Sequence, residues 1–289
     1  MAGAWRTRLE EPMIPTHLSP SGLATWRQCG LKWWHHYVDE WPGYPPSEAM
    51  LRGTIVHAAV EALFPVGPVK PPTKADIDYH LSVAYDAADK TPITSDPGEF
   101  YETCRASLHS AVEPLSRLAE VLLVETELRA WGNSGLEFYG FVDMVARKGD
   151  LVFVIDLKTG AAPNAHTPWY EDQIMEKLIQ PALYFAVLVE MGWKVHAYGL
   201  LFAPHDAPSQ LLLGPPNPHG ESEVAATLWD DAVGAIMHQR RSEMEPEAQP
   251  SALCGWCPYV DRCPSGEAMV RERWRLNKSV GPARELLGL

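Results

Sequence analysis

From Val121 onward the chain alternates apolar and polar positions. "VLLVETELRAW" sets Leu122, Val124, Thr126 and Leu128 on one face and Leu123, Glu125 and Glu127 on the other, the period of a strand. "LEFYGFVDMVAR" reads as a second strand, "KGD" as a tight turn and "LVFVIDLK" as a third strand. An apolar helix follows over residues 170–191, then a fourth strand in "VHAYGLLFAP". Ahead of Val121 the period is helical. Ser19-Pro20 sets a capping hydroxyl before a first-turn proline, and the helix it opens carries Leu23, Trp26, Trp33 and Tyr37. A second helix starts after Pro45-Pro46, capped by Ser47, and runs to Pro65. "PVGPVKPPT" is a linker by its prolines, with helices expected over 74–90 and 98–119. Past the fourth strand, proline-rich residues 204–218 loop out, 221–241 is helical, and a short basic helix follows the cysteines near the C-terminus.

Helices, three meandering strands, a helix and a strand predict an α/β fold. Its sheet is mixed, with hairpins among the first three strands and a helical crossover to the fourth. The 289 residues suffice for one large domain or two small ones, and a 46% apolar share supports a real core. No apolar run is long enough to span a bilayer and the N-terminus lacks a signal-peptide core, so a cytoplasmic location without a membrane partner is expected. A formal charge of −13 excludes coating of duplex DNA by bulk charge; any nucleic acid must bind in a local groove. There is no G-x-x-x-x-G-K-[ST] for an ATP-driven motor and no G-x-S-x-G elbow. The absence of a flavin or nicotinamide fingerprint argues against a redox enzyme.

The chemistry concentrates in "GFVDMVARKGDLVFVIDLKTG", where mostly apolar strands carry Asp143, Asp156 and Lys158. The hairpin brings the two aspartates together, and Asp156 and Lys158, two apart, point to one face. Converging carboxylates raise each other's pKa unless a cation compensates them, and Mg²⁺ or Mn²⁺ suits hard oxygen ligands. Lys158 would orient or deprotonate a water, or neutralise charge on phosphate. A buried Asp–Lys pair is the alternative. His57 lies on the helix of "RGTIVHAAVEALF", with Gly53 and Glu61 one turn to either side. Gln180 and Tyr184 are neighbours on a later helix. Glu125 and Glu127 read as a solvated strand face, with a third carboxylate ligand as the alternative.

A second constellation is Cys254-x2-Cys257-x5-Cys263, with Cys29 far upstream as a fourth thiol. In a reducing compartment it points to metal, as zinc or as a [4Fe–4S] cluster, and spacing favours neither; His35 or His36 could replace a thiolate at zinc. Cys104 fits no spacing and reads as a small core residue. "TWRQCGLKWWHHYVDEW" suits stacking on single-stranded bases as well as a core stripe. Trp26, Trp33 and Tyr37 are read as core, and Arg27, Lys32, His35, His36 and Arg52 as phosphate contacts.

R-G-x-x-x-H, G-x-x-D, D-x-K-T-G and Q-x-x-x-Y, in that order, resemble the RecB-like branch of the PD-(D/E)xK nuclease superfamily. Its iron–sulfur members include CRISPR-associated exonucleases, AddB-type nuclease domains and stand-alone phage relatives. The resemblance spans about Leu18 to Pro264 and implies the fold read above: a mixed sheet flanked by helices, with a helical N-terminal part and a C-terminal iron–sulfur clasp. It implies that His57, Asp143, Asp156 and the Leu157 carbonyl ligate Mg²⁺ or Mn²⁺, that Lys158 is catalytic, and that Gln180, Tyr184 and Arg52 meet substrate. It favours [4Fe–4S] over zinc at Cys29, Cys254, Cys257 and Cys263. Asp156 stands where many members have Glu, and Val142 replaces the proline of the name. The expected organisation is one integrated domain: a tail (1–18), a helical region with His57 and Cys29 (19–119), the core (120–203), a loop and helix (204–253), and the cysteine cluster with a terminal helix (254–289). The implied activity is a metal-dependent DNA exonuclease acting on single strands or ends, with 5′→3′ polarity suggested by the family. Its setting would be recombination, repair, phage DNA processing or CRISPR-type adaptation in a bacterial or phage-infected cell. The alternative is a DNA-end-binding or assembly subunit for a recombinase, integrase or helicase.

Overall fold

Capping side chains set where the helices begin. After the two-residue strand β1 (His17–Leu18), Ser19 accepts a hydrogen bond from the Gly22 amide at 3.0 Å and opens α1 (Pro20–Gln28). The sequence reads as one helix continuing through Trp33 and Tyr37. Instead Cys29 is extended (φ −169°, ψ 118°), which interrupts the helical ladder, and a separate α2 (Gly30–Tyr37) begins. Ser47 caps α3 (Glu48–Leu63) through the Met50 amide, as expected, and the short strand β2 (Gly67–Pro68) follows. Thr73 and Asp76 form a capping box on α4 (Lys74–Ala87), and Asp96 caps α5 (Pro97–Leu115). The remaining elements are β3 (Glu120–Trp131), β4 (Glu137–Lys148), β5 (Leu151–Lys158), α6 (Tyr170–Glu190), β6 (Ala197–Phe202), β7 (Gln210–Leu213), α7 (Pro218–Ser242), α8 (Pro264–Arg275) and α9 (Ala283–Leu286). This computed structural model describes residues 15–131, 136–167, 170–214, 218–242 and 244–289. The expected N-terminal tail therefore lies outside the described residues up to residue 14.

The described residues form two compact units, one holding those up to Tyr44, Trp131–Phe138 and Trp229–Leu289, the other Pro45–Ala130 and Tyr139–Leu228. In the second unit strands run in the order β2-β3-β4-β5-β6-β7. Gly149, at φ 60°, supplies the left-handed residue of a two-residue hairpin, so Lys148 pairs with Leu151 and the antiparallel ladder runs on to Met144–Ile155. From β5 the chain crosses through α6 to β6, which pairs with β5 in parallel, as the helix between them predicts. β7 then adds an antiparallel strand that sequence reading assigned to a proline loop, because four residues flanked by Pro208 and Pro215 leave little periodicity. On one face, Met144, Ala146, Ile155 and Leu157 pack against Ile55 and Ala59 of α3, Leu81 of α4 and Leu108 of α5; Cys104 sits in this core, as expected. A Cβ at Gly199 would come within 2.5 Å of the Leu212 carbonyl oxygen. Gly199→Ala must therefore push β7 away, and urea unfolding is expected to register a loss of about 1–3 kcal/mol. An unchanged midpoint would mean that β7 yields freely.

In the first unit β1 pairs in parallel with Glu137 and Phe138, and Trp33 and Trp34 are buried. His35 is also buried: its Nδ1 lies 2.8 Å from Asp39 Oδ2 and its ring stacks on Trp41 at 4.2 Å, so it cannot touch phosphate as expected. The cysteines bring a larger correction. None is in a disulfide, and Cys29, Cys254, Cys257 and Cys263 border one cavity, yet they do not converge into a ligand set. Among the described residues, the group of metal-ligating atoms lying within 4.8 Å of one another contains no thiol. The sulfurs serve the backbone instead. Cys254 accepts from the Ser251 amide and Cys263 from the Gly266 amide, both at 3.3 Å, and Cys29 accepts from Gln249 at 3.5 Å. This overturns the iron–sulfur clasp, the zinc alternative and the placement in an iron–sulfur branch. The mixed sheet flanked by helices stands.

Candidate metal centre

Past the Met144–Ile155 pair the β4–β5 ladder stops, and the next opposed positions are Asp143 and Asp156. They share a face with Val145 and Val154, opposite the packed Met144 and Ile155. Asp143 Oδ2 takes the Leu157 amide at 2.7 Å, standing in for the lost ladder partner. Asp156 is 1% exposed, and neither of its oxygens accepts a hydrogen bond. The Lys158 ammonium lies 2.7 Å from Asp156 Oδ2 as an ion pair without hydrogen-bond alignment, and it donates to Gln180 Oε1 at 3.2 Å. That bond places α6 over the face that carries Asp156 and Lys158.

His57 comes from α3, next to the buried Ile55 and Val56 that anchor the helix on the sheet. Its Nδ1 lies 2.9 Å from Glu125 Oε1 and 3.9 Å from Asp143 Oδ1, and its Nε2 lies 3.0 Å from the Leu157 carbonyl oxygen. Glu125 is the residue sequence reading misjudged. Alternation along β3 groups it with Glu127, which is exposed and ion-paired to Arg129 at 2.5 Å. Glu125 itself adopts φ 39°, a left-handed conformation inside a strand that breaks the alternation, and its carboxylate meets His57. A non-glycine residue held there costs on the order of 1–3 kcal/mol, and such strain gathers at functional sites.

His57, Glu125 and Asp143 present ligand atoms within 4.8 Å of one another. Adding Asp156, whose buried oxygens accept no hydrogen bond and meet only the Lys158 ammonium, gives a hard oxygen-rich set with one imidazole, which fits a divalent cation such as Mg²⁺ or Mn²⁺. The electrostatics agree. Burial, then the charge of Asp156, raises the Asp143 carboxyl to about 7. Burial likewise raises Asp156, against the attraction of Lys158. Burial opposes charge on His57, but the Glu125 hydrogen bond and the Asp143 charge outweigh it, and its pKa rises to about 9. These are groups holding protons in place of a counter-cation.

The other expected residues fall as follows. The Leu157 carbonyl faces the site through His57. Tyr184 is buried, and its phenol is raised by burial and then by the Asp143 charge, which places it beside the carboxylates. Arg52 is not in the triad: its Nε is buried without a partner, and it acts on Cys104 of α5, whose thiol burial pushes up to about 11 against that guanidinium.

The profile of the PD-(D/E)XK nuclease superfamily matches residues 17–264, a span that holds every residue of the site. Among solved structures, the chain is similar to an exonuclease candidate from Eubacterium rectale, with a TM-score of 0.53 and 11% identity over 86% of this chain and 90% of that one. Identity that low speaks to fold alone. A second structure, SSO0001, matches over 85% of this chain and 96% of that one at 14% identity, and its TM-score of 0.35 carries no argument. No curated protein matches the sequence. Among the described residues, no helix is long and apolar enough to cross a membrane.

Proposed function

We propose that this chain, which belongs to the PD-(D/E)XK nuclease superfamily, is a deoxyribonuclease dependent on Mg²⁺ or Mn²⁺. The observation that carries the reading is the meeting of His57, Glu125 and Asp143 beside a buried Asp156 with no hydrogen-bond partner of its own. These four side chains and the Leu157 carbonyl would hold the cation. When bound, it supplies Lewis-acid polarisation of a phosphate oxygen and acidifies water for attack. Lys158, restrained by Asp156 and Gln180, orients the water or neutralises charge gathering on the phosphate. Gln180 and Tyr184 line the site from α6.

The substrate is single-stranded DNA or a DNA end, cut as an exonuclease. A net charge of −13 supports this, because a narrow groove holds a single strand or an end against a field that repels a long duplex. The test is incubation of the full chain with end-labelled linear and circular single strands and with duplex, in Mn²⁺, Mg²⁺ or EDTA. Progressive shortening of linear single strands in either metal, none in EDTA and little cutting of circles is expected. Binding of ends without cleavage in either metal would put an end-binding or assembly role in its place.

A further inference from the structure

On α6, residues 177, 180 and 184 stand at i, i+3 and i+7 and share one face of the helix. Gln180 reaches the metal centre, where its Oε1 receives Lys158, and Tyr184 is buried one turn further along the same face. Lys177 is the solvent-side end of this stripe and is exposed. Among the described residues its ammonium has no ion pair or hydrogen bond, although carboxylates outnumber cations across the chain, 37 against 24. A long cationic side chain left unpaired at the mouth of an acidic site lacks a counter-anion, and a polyanionic substrate brings one.

We propose that Lys177 is a substrate-contacting residue that holds a backbone phosphate next to the one being cut, guiding the strand along the Lys177–Gln180–Tyr184 stripe into the metal centre. The contact is a point charge on a phosphate and reads no base. The proposal rests on the nuclease reading above.

The experiment measures binding of fluorescein-labelled single-stranded oligonucleotides by the full chain across a salt series, with Ca²⁺ in place of Mn²⁺ to slow turnover, and steady-state cleavage in Mn²⁺. Lys177→Gln is expected to weaken binding about 5–10-fold for every sequence tried and to lower the slope of log affinity against log salt by about 0.7, one single-strand phosphate contact. KM should rise by a similar factor with kcat within about twofold, and Lys177→Arg should restore the slope. A role confined to the electrostatics of Asp156 would change kcat and leave the salt slope alone, which overturns the phosphate contact. If the wild type binds and cuts while Lys177→Gln matches it in affinity and slope, the contact fails and the nuclease reading survives. If the wild type neither binds nor cuts DNA, both fail.

Discussion

Replacing Asp156 with alanine is expected to abolish metal-dependent DNA cleavage, by at least about 10³-fold, while leaving the metal-free fold as stable as before or more so. The two effects share one cause. Asp156 is 1% exposed, faces Asp143, and has oxygens without hydrogen bonds, so its charge is tolerated in the folded state rather than stabilising it. The truncation relieves that charge, and Lys158, with a side chain 31% exposed and Gln180 as partner, can hydrate. A gain of up to about 1–2 kcal/mol in metal-free urea unfolding is expected. The pH dependence carries the same sign. Asp143, at about 7, binds its proton more tightly folded than unfolded, so metal-free wild type loses stability as pH rises from about 4 to that value. With the Asp156 charge gone, Asp143 titrates lower and the loss shrinks. His57 acts in a higher window: raised to about 9, it contributes stability that is full below about 6.5 and fades as pH climbs through 9. Retention of more than about a tenth of wild-type cleavage would remove Asp156 from the metal set, and metal-free unfolding of the variant would make it a structural carboxylate.

The acidic hairpin was legible because two local rules point the same way. Period-2 alternation marks both strands, and a glycine at the turn fixes a two-residue loop, after which Asp143 must oppose Asp156 by register alone. The distant members, His57 and Gln180, were reached through the order of motifs, since no local period tells a helix which strand end it will cover. Glu125 was legible only as an alternative, a third carboxylate that could equally have been Glu127. Nothing in "VETEL" announces a left-handed residue, and without it alternation turns Glu125 and Glu127 alike to one face. The cysteines failed in the opposite direction, through spacing that suggests too much. Ser251 with Cys254, and Cys263 ahead of Pro264, are also helix-start patterns, and in the fold those thiols accept amide hydrogens. Spacing in sequence records where sulfurs can go; only the tertiary path decides whether they meet.

That contrast between Glu125 and Glu127 yields the second large effect. Glu125→Gln is nearly isosteric, and its amide oxygen can still accept the His57 Nδ1 hydrogen, so the positions of α3 and β3 should hold. What is lost is a negative charge among ligand atoms that lie within 4.8 Å of one another. Mn²⁺ affinity, measured by calorimetry, is expected to fall about 10–100-fold, with cleavage partly recovered at high Mn²⁺. In the metal-free variant the His57 pKa, followed by NMR, should drop below about 9, because the charged hydrogen bond it donates to Glu125 is the strongest influence holding it up against burial. Glu127→Gln is the internal control. Its carboxylate is exposed on Arg129, a surface pair of little energetic consequence, so metal affinity and the His57 titration should stay at wild-type values. Equal behaviour of the two variants would return Glu125 to the solvated strand face and leave the cation to His57, Asp143 and Asp156. Loss of metal binding in Glu125→Gln alone would show that one residue's backbone conformation separates a ligand from a bystander two positions away.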